Sequence, residues 1–288
     1  MKLNPKKIAF LLSLAVFLIM LTVIIVVSVM RREKPIQDPI ESTYVPETIQ
    51  YEDELSEPIY EGMPDGVYYR RNTTKTVTDV ETASRIVMNY PIFGGFQGEG
   101  TDAEINELIV YHNTEMQRQF GNGMDKMLGR YIKVVYEVSD FYITYIDSDF
   151  ISIMYEGVFA VSSENDHIDL GNSYFRYSLN LDVKNRKLIT SDELITNFNS
   201  LKLTFQKGDM EMEHGLEGLC DNISYYEMFH EYSDTYNIYP MLYFTKDKVM
   251  IIISLTPDLG GNAVFSYNIK DSTGFLDHGL ISMQKYYS

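Results

Sequence analysis

The hydrophobic pattern divides the chain into three regions. Residues 8–30 form an unbroken apolar run of 23 residues without a charge or a proline. As a helix it spans roughly 35 Å, enough for a bilayer core with some tilt. Residues 31–84 show no sustained period of 2 or 3.6 and carry Pro35, Pro39, Pro46, Pro58 and Pro64 among many acids. From residue 85 onward the pattern alternates with a period of 2, interrupted by one stretch of helical period.

These periods predict the elements. Residues 85–91 read as a strand ended by Pro91. Gly94, Gly95, Gly98 and Gly100 form a loop, and Thr101 with Glu104 reads as a capping box. The helix behind it places Ile105, Leu108, Ile109, His112 and Met116 on one face and is expected to stop at Gly121 and Gly123. Strands follow at 131–138, 141–146 and 150–155, the last two joined by a tight turn at Asp147, Ser148 and Asp149. Another covers 174–183, with Phe175, Tyr177, Leu179 and Leu181 on one face. Residues 191–194 open a short helix, 202–239 give no clear pattern, and 241–245 with 249–255 form a hairpin before a last strand at 262–269. The expected fold is α+β: an N-terminal transmembrane helix, then an antiparallel sheet packed with one main helix.

Charge adds an orientation. The chain holds 24 Lys and Arg against 41 Asp and Glu, net −17. Six of those bases and one acid lie in residues 1–34, so the rest is net −22. A seven-residue basic head before an apolar run, and a large acidic part after it, predict a single-pass anchor with the N-terminus inside. A cleavable signal would have a shorter apolar region and small residues at its end, where this run closes Val-Ser-Val-Met. The expected organisation is a cytoplasmic head at 1–7, the membrane helix at 8–30, an acidic stalk at 31–84 and an extracytoplasmic domain at 85–288. Tyr68 and Tyr69 within the stalk suggest that residues 67–80 pack on the domain as an edge strand. Such acidity disfavours nucleic acid and suits a cationic partner. Cys220 is alone, so no intramolecular disulfide forms.

Catalytic motifs are missing. No two of the five histidines stand at i, i+3 or i+4, and there is no H-E-x-x-H, C-x-x-C or G-x-S-x-G. The glycine loop lacks the Lys-Ser/Thr of a phosphate loop. No metal site, cofactor or catalytic residue is therefore assigned. Glu211, Glu213, His214, His230 and Glu231 could ligate a metal only if the fold converged them; a solvated face is the simpler reading. Asp166, His167 and Asp169 make a small acidic loop able to bind a ligand. Tyr225, Tyr226, Tyr232 and Tyr236 supply aromatic anchors, or else line an ordinary helix core.

The order of motifs resembles a pair of bacterial extracytoplasmic domains of unknown function, the outer domain of the RsiV anti-sigma factor and the N-terminal region of the deacetylase PdaC. The matching residues are Tyr90-Pro91, the aliphatics of 104–109, the Ile-Ser-Ile step at 151–153, and 177–182 leading into Lys187-Leu-Ile-Thr190. The likeness covers 85–288, with 85–160 PdaC-like and 161–288 RsiV-like. It departs where Arg186 replaces a turn glycine and where the loop at 161–167 keeps only His167 of a Gly-Gly-Ala-His pattern. The resemblance implies a non-enzymatic, membrane-anchored binding domain of a bacterial cell envelope. Its expected ligand is a cell-wall glycan or a cationic protein such as lysozyme. A cell-wall hydrolase with its acidic site near 166–169 is the alternative.

Overall fold

Long strands of alternating character join neighbours through tight turns, and the strands among the described residues form two sheets. The computed structural model describes residues 48–52, 63–79, 84–128, 133–162, 169–215, 240–255 and 261–281. The apolar run at 8–30 lies outside them. Among the described residues no helix is long and apolar enough to cross a membrane.

The larger sheet has seven strands in the order of the sequence: β1 (Thr48–Glu52), β2 (Tyr68–Asp79), β3 (Ser84–Gly94), β4 (Lys133–Ile146), β5 (Phe150–Ser162), β6 (Asp169–Asp182) and β7 (Lys187–Leu188). Every neighbouring pair is antiparallel except β3 and β4, which run parallel over four register pairs, Arg85 with Val135 to Met88 with Val138. A parallel pair needs a crossover, and helix α1 (Thr101–Leu128) provides it. The smaller sheet has the order β8 (Glu211–His214), β11 (Asn262–Asn268), β10 (Lys248–Ser254), β9 (Met241–Phe244). Short helices α2 (Ser191–Leu194) and α3 (Phe198–Lys207) connect the sheets.

Several expectations are corrected. The sheet starts well before residue 85: the strand expected at 67–80 is β2, but β1 from further back in the spacer flanks it, so β2 lies one strand in from the edge. The proposed division at 160 and 161 falls inside β5. β3 runs through Pro91 because its pairing with β4 ends at Met88, leaving one side without a ladder where the proline lacks a donor. On that side the Asn106 amide takes over, accepting from Phe93 N at 2.8 Å and donating to Phe93 O at 2.9 Å. The strands expected at 131–138 and 141–146 are one bulged strand, β4, with the register shifting between Val138 and Asp140. Helix α1 passes Gly121 and Gly123 and reaches Leu128. A glycine inside a helix costs about 1 kcal/mol without ending it.

The capping box expected at Thr101 and Glu104 is also corrected. Thr101 Oγ1 donates to Gln97 O, and the Glu104 carboxylate accepts from Arg186. Asp102 instead closes the glycine loop, accepting from Gly95 N and Phe96 N at 2.9 and 3.0 Å. A carboxylate thus occupies the amides that a phosphate loop would offer. The true capping box is at Thr190 and Glu193, ahead of α2.

The helix face is as read. Ile105 and Ile109 are fully buried, Met116 is buried, and Leu108 is half-buried. They pack on the inner phase of β4 to β6, including Ile143, Ile151, Ile153, Leu179 and Leu181. Three tyrosines share that core. Tyr155 stacks on Tyr177 at 4.8 Å, and Tyr136 stacks on Phe175 at 5.0 Å. The Tyr177 hydroxyl donates to buried Asn113, and burial raises the pKa of all three phenols.

His112, one residue before Asn113, donates from Nε2 to Ser178 O at 2.9 Å. Burial holds its pKa down at about 4 against an ordinary 6.5, the hydrogen bond to Ser178 O opposing that shift. The unfolded chain therefore binds a proton between those two values that the folded chain refuses. Stability contributed by the neutral ring is complete above pH 6.5, falls as pH drops through the window, and stops changing below 4. We expect a loss on the order of 2 kcal/mol between pH 7 and 4 from this group, allowing for the part of the ring that water reaches. Chemical unfolding of wild type and His112→Gln at both pH values checks it; equal pH slopes would contradict it.

A second core lies on the face of the smaller sheet that packs against α3, and it reaches Phe150 of β5. Leu242, Phe244, Ile251, Ile253 and Phe265 meet Leu201 and Phe205 of α3, with Phe205 edge-on to Phe265 at 5.1 Å. One buried polar chain joins the sheets. Ser152 Oγ donates to Asn180 Oδ1 at 2.7 Å, Asn180 Nδ2 donates to Leu242 O at 2.7 Å, and Phe244 N donates back to Ser152 Oγ at 2.9 Å. It covers the outward edge of β9 with side-chain donors and acceptors in place of a further strand.

Candidate binding groove between the sheets

Strand alternation divides the larger sheet into two faces. The face opposite α1 carries Ser152, Met154, Glu156 and Val158 of β5, opposite Asn180, Ser178, Arg176 and Tyr174 of β6. The smaller sheet covers only one end of this face, where Ser152 and Asn180 are buried. The other end stays open, and β8 and β11 bring His214 and Asn262 beside it. The result is a groove of about 460 Å³, lined among others by Ser139, Glu156, Val158, Tyr174, Arg176, His214 and Asn262. That volume suits a small ligand.

Its polar groups are fixed to one another. Glu156 Oε2 accepts from Arg176 Nη2 and Nε at 3.2 and 3.4 Å, and Glu156 Oε1 accepts from the Tyr142 hydroxyl at 2.8 Å. Arg176 Nη1 donates to Asn262 Oδ1 at 3.2 Å. The hydrogen bond to Glu156 raises the Tyr142 pKa, since a phenolate there would face the carboxylate. Glu156 and Arg176 stand directly across the two strands and cancel in charge. Two tyrosines are exposed on the same face, Tyr174 at 61% and Tyr142 at 43%. Fixed polar groups beside aromatic rings make a surface that can bind.

Two glycines shape the groove. Gly261 has φ of +82°, and a Cβ there would lie 2.0 Å from Tyr174 O, so the backbones touch and Asn262 is delivered to Arg176. Gly157 lies under the Phe175 ring, where a Cβ would come within 2.5 Å of it.

The residues singled out from sequence are not those of the groove. Asp166, His167, Tyr225, Tyr226, Tyr232 and Tyr236 lie outside the described residues. Asp169 opens β6, in register with Ser162. Glu211 and Glu213, considered as metal ligands, both bind Lys248 Nζ, at 3.2 and 2.8 Å. Among the described residues no three His, Cys, Asp or Glu side chains group to hold a metal ion. Sequence reading missed Glu156, Arg176, Tyr142, Tyr174 and Asn262, although the signal existed. With Phe175, Tyr177 and Leu179 inside, Tyr174 and Arg176 must point the other way, and a tyrosine in the polar phase is an aromatic presented to water.

No family model matches the chain, and no curated protein matches it. Among solved structures it is similar to a member of the DUF3298 family from Bacteroides fragilis, at 12% identity and a TM-score of 0.43, covering 84% of this chain and 98% of that one. It is also similar to a DUF3298 family protein from Pseudomonas aeruginosa, at 10% identity and a TM-score of 0.43, covering 76% and 98%. Likeness of that degree carries no functional detail, so the site rests on this chain's own residues.

Proposed function

We propose that this protein is a membrane-anchored, extracytoplasmic binding domain of a bacterial cell envelope, and that the groove holds a neutral glycan. The anchor and the address rest on the apolar run at 8–30 and the net −22 that follows residue 34. The groove carries the ligand class. Its central charges, Glu156 and Arg176, neutralise each other, which leaves a polar but uncharged lining flanked by two exposed tyrosines. A charged ligand would lose hydration there without finding a free counter-charge. A sugar ring offers hydroxyls to the fixed polar groups and an apolar face to a tyrosine.

The hydrolase alternative places its acidic site at 166–169, of which 166–168 lie outside the described residues. The groove's own lining would not serve it: a glycosidase needs two carboxylates flanking the bond, and this lining presents Glu156, bound by Arg176 and Tyr142. A cationic protein partner is the second reading, favoured by the acidity of the chain after residue 34.

Calorimetric titration of the full chain in detergent with a soluble N-acetylglucosamine tetramer tests the proposal. Binding is expected, and Tyr174→Ala should weaken it about tenfold, the loss of one stacking aromatic. An absence of binding, or a Tyr174→Ala variant as tight as wild type, overturns the groove reading. Lysozyme titrated in parallel at low salt and at about 0.5 M salt separates the second reading, because steering by net charge is screened.

A further inference from the structure

A second cleft, of about 540 Å³, lies where four loops meet at the far end of the larger sheet. Val183 stands seven residues along β6 and its turn from Arg176, about 23 Å at strand rise. The cleft is therefore separate from the groove, and its ligand is independent of whether the groove holds a glycan.

The loops are tied in place. Gly95, at φ +89°, lies against the backbone of Gly66, where a Cβ would come within 2.0 Å of Gly66 O. Asp102 holds Gly95 and Phe96 by their amides, and Val183 N donates to Asp149 O at 2.9 Å. Arg186 adopts φ of +52° in the turn, donates to Glu99 O and pairs with Glu104 at 2.8 Å. The cleft is thus formed before any ligand arrives, as small-molecule sites usually are. Val67, Phe96 and Val183, all buried, give it an apolar lining.

The charges at the rim divide into spent and unspent. Arg186 is spent on Glu104 and Glu99, and Asp149 is engaged, accepting from Ser148 Oγ at 3.2 Å. Asp65 and Lys184 are exposed and have no hydrogen-bond or ion-pair partner among the described residues. One free carboxylate and one free ammonium around an apolar lining are complementary to a ligand with one charge of each sign and an apolar substituent. We propose that this cleft binds a zwitterionic amino acid or short peptide with an apolar side chain, its amino group toward Asp65 and its carboxylate toward Lys184.

The probe is L-leucyl-L-leucine, titrated calorimetrically into the full chain in detergent, beside its N-acetylated, C-amidated and doubly blocked forms. The free dipeptide is expected to bind, each single block to weaken it about tenfold, and the double block to abolish it. In Asp65→Asn the N-acetyl form should bind as well as the free form, while amidation still costs tenfold. In Lys184→Gln the pattern reverses. A merely structural role for either residue would not exchange these preferences. Tyr174→Ala should bind the dipeptide as wild type does, even where its glycan binding is weakened. No binding of the free dipeptide, equal binding of the doubly blocked form, or unchanged preferences in both variants overturns the proposal.

Discussion

Replacing Asn180 with leucine is expected to cost about 2–4 kcal/mol of folding stability. Asn180 is 3% exposed and closes the polar chain between the sheets. Leucine keeps the branched outline and is somewhat larger, so no cavity is left, and any overpacking adds to the cost. Leu242 O would lose its donor and Ser152 Oγ its acceptor, both buried between β5, β6 and β9. An unsatisfied buried polar group costs about 1–3 kcal/mol, and this substitution creates two. Chemical denaturation of the full chain in detergent measures the effect. The companion double variant, Ser152→Ala with Asn180→Leu, should lose less than the two single changes added, because their partners overlap. Wild-type stability in Asn180→Leu would show that the chain contributes nothing to joining the sheets.

Gly261→Ala is expected to cost about 2–4 kcal/mol and to weaken binding in the groove as well. The new Cβ would lie 2.0 Å from Tyr174 O and 3.1 Å from its carbonyl carbon. Both are backbone atoms with no rotamer to escape into, so either strand β6 or the approach to β11 must move. Gly66 and Gly208 provide internal controls. Their φ values, +84° and +72°, match that of Gly261, yet a Cβ at either meets nothing within 4 Å. Alanine at those sites should cost only the left-handed conformation, on the order of 1–2 kcal/mol. The difference between the sites isolates the close approach. Equal losses at all three would mean that Tyr174 yields freely and that the groove wall is soft.

The legible parts of this fold were those set by local periodicity. The α1 face at Ile105, Ile109 and Met116, the turn at Asp147, and the hairpin of β9 and β10 follow from the sequence because neighbours in the chain are neighbours in space. Elements set by distant partners were harder. Nothing near Pro91 indicates that β3 loses its neighbour at Met88, and that loss is what admits the proline. The spacer reading of 31–84 failed in part because five prolines outweighed the Thr- and Val-rich stretch at 73–78, which forms half of β2. Helix α3 was missed despite Asn197 at its N-cap, Gly208 in left-handed conformation at its C-cap, and Phe198, Leu201 and Phe205 at helical spacing between them. The groove needed tertiary knowledge outright, since Arg176 and Asn262 are 86 positions apart.

The parallel seam between β3 and β4 has a consequence for how the chain reaches this fold. Four register pairs join the two strands, whereas β2 with β3 and β4 with β5 carry long antiparallel ladders on either side. The antiparallel ladders close over short connections and can zip locally, but the seam forms only after the whole α1 crossover has been ordered, a larger loop-closure entropy for fewer bonds. Arg71 reaching Asp140, and the Asn89 amide bridging Val138 O and Ser139 O, reinforce it from the side. The larger sheet is therefore expected to assemble as two units, β1 to β3 and β4 to β7, joined late at this seam and through the core they share under α1. Hydrogen exchange that protects the amides of 85–88 less than those of the flanking antiparallel ladders would bear this out; equal protection would contradict it.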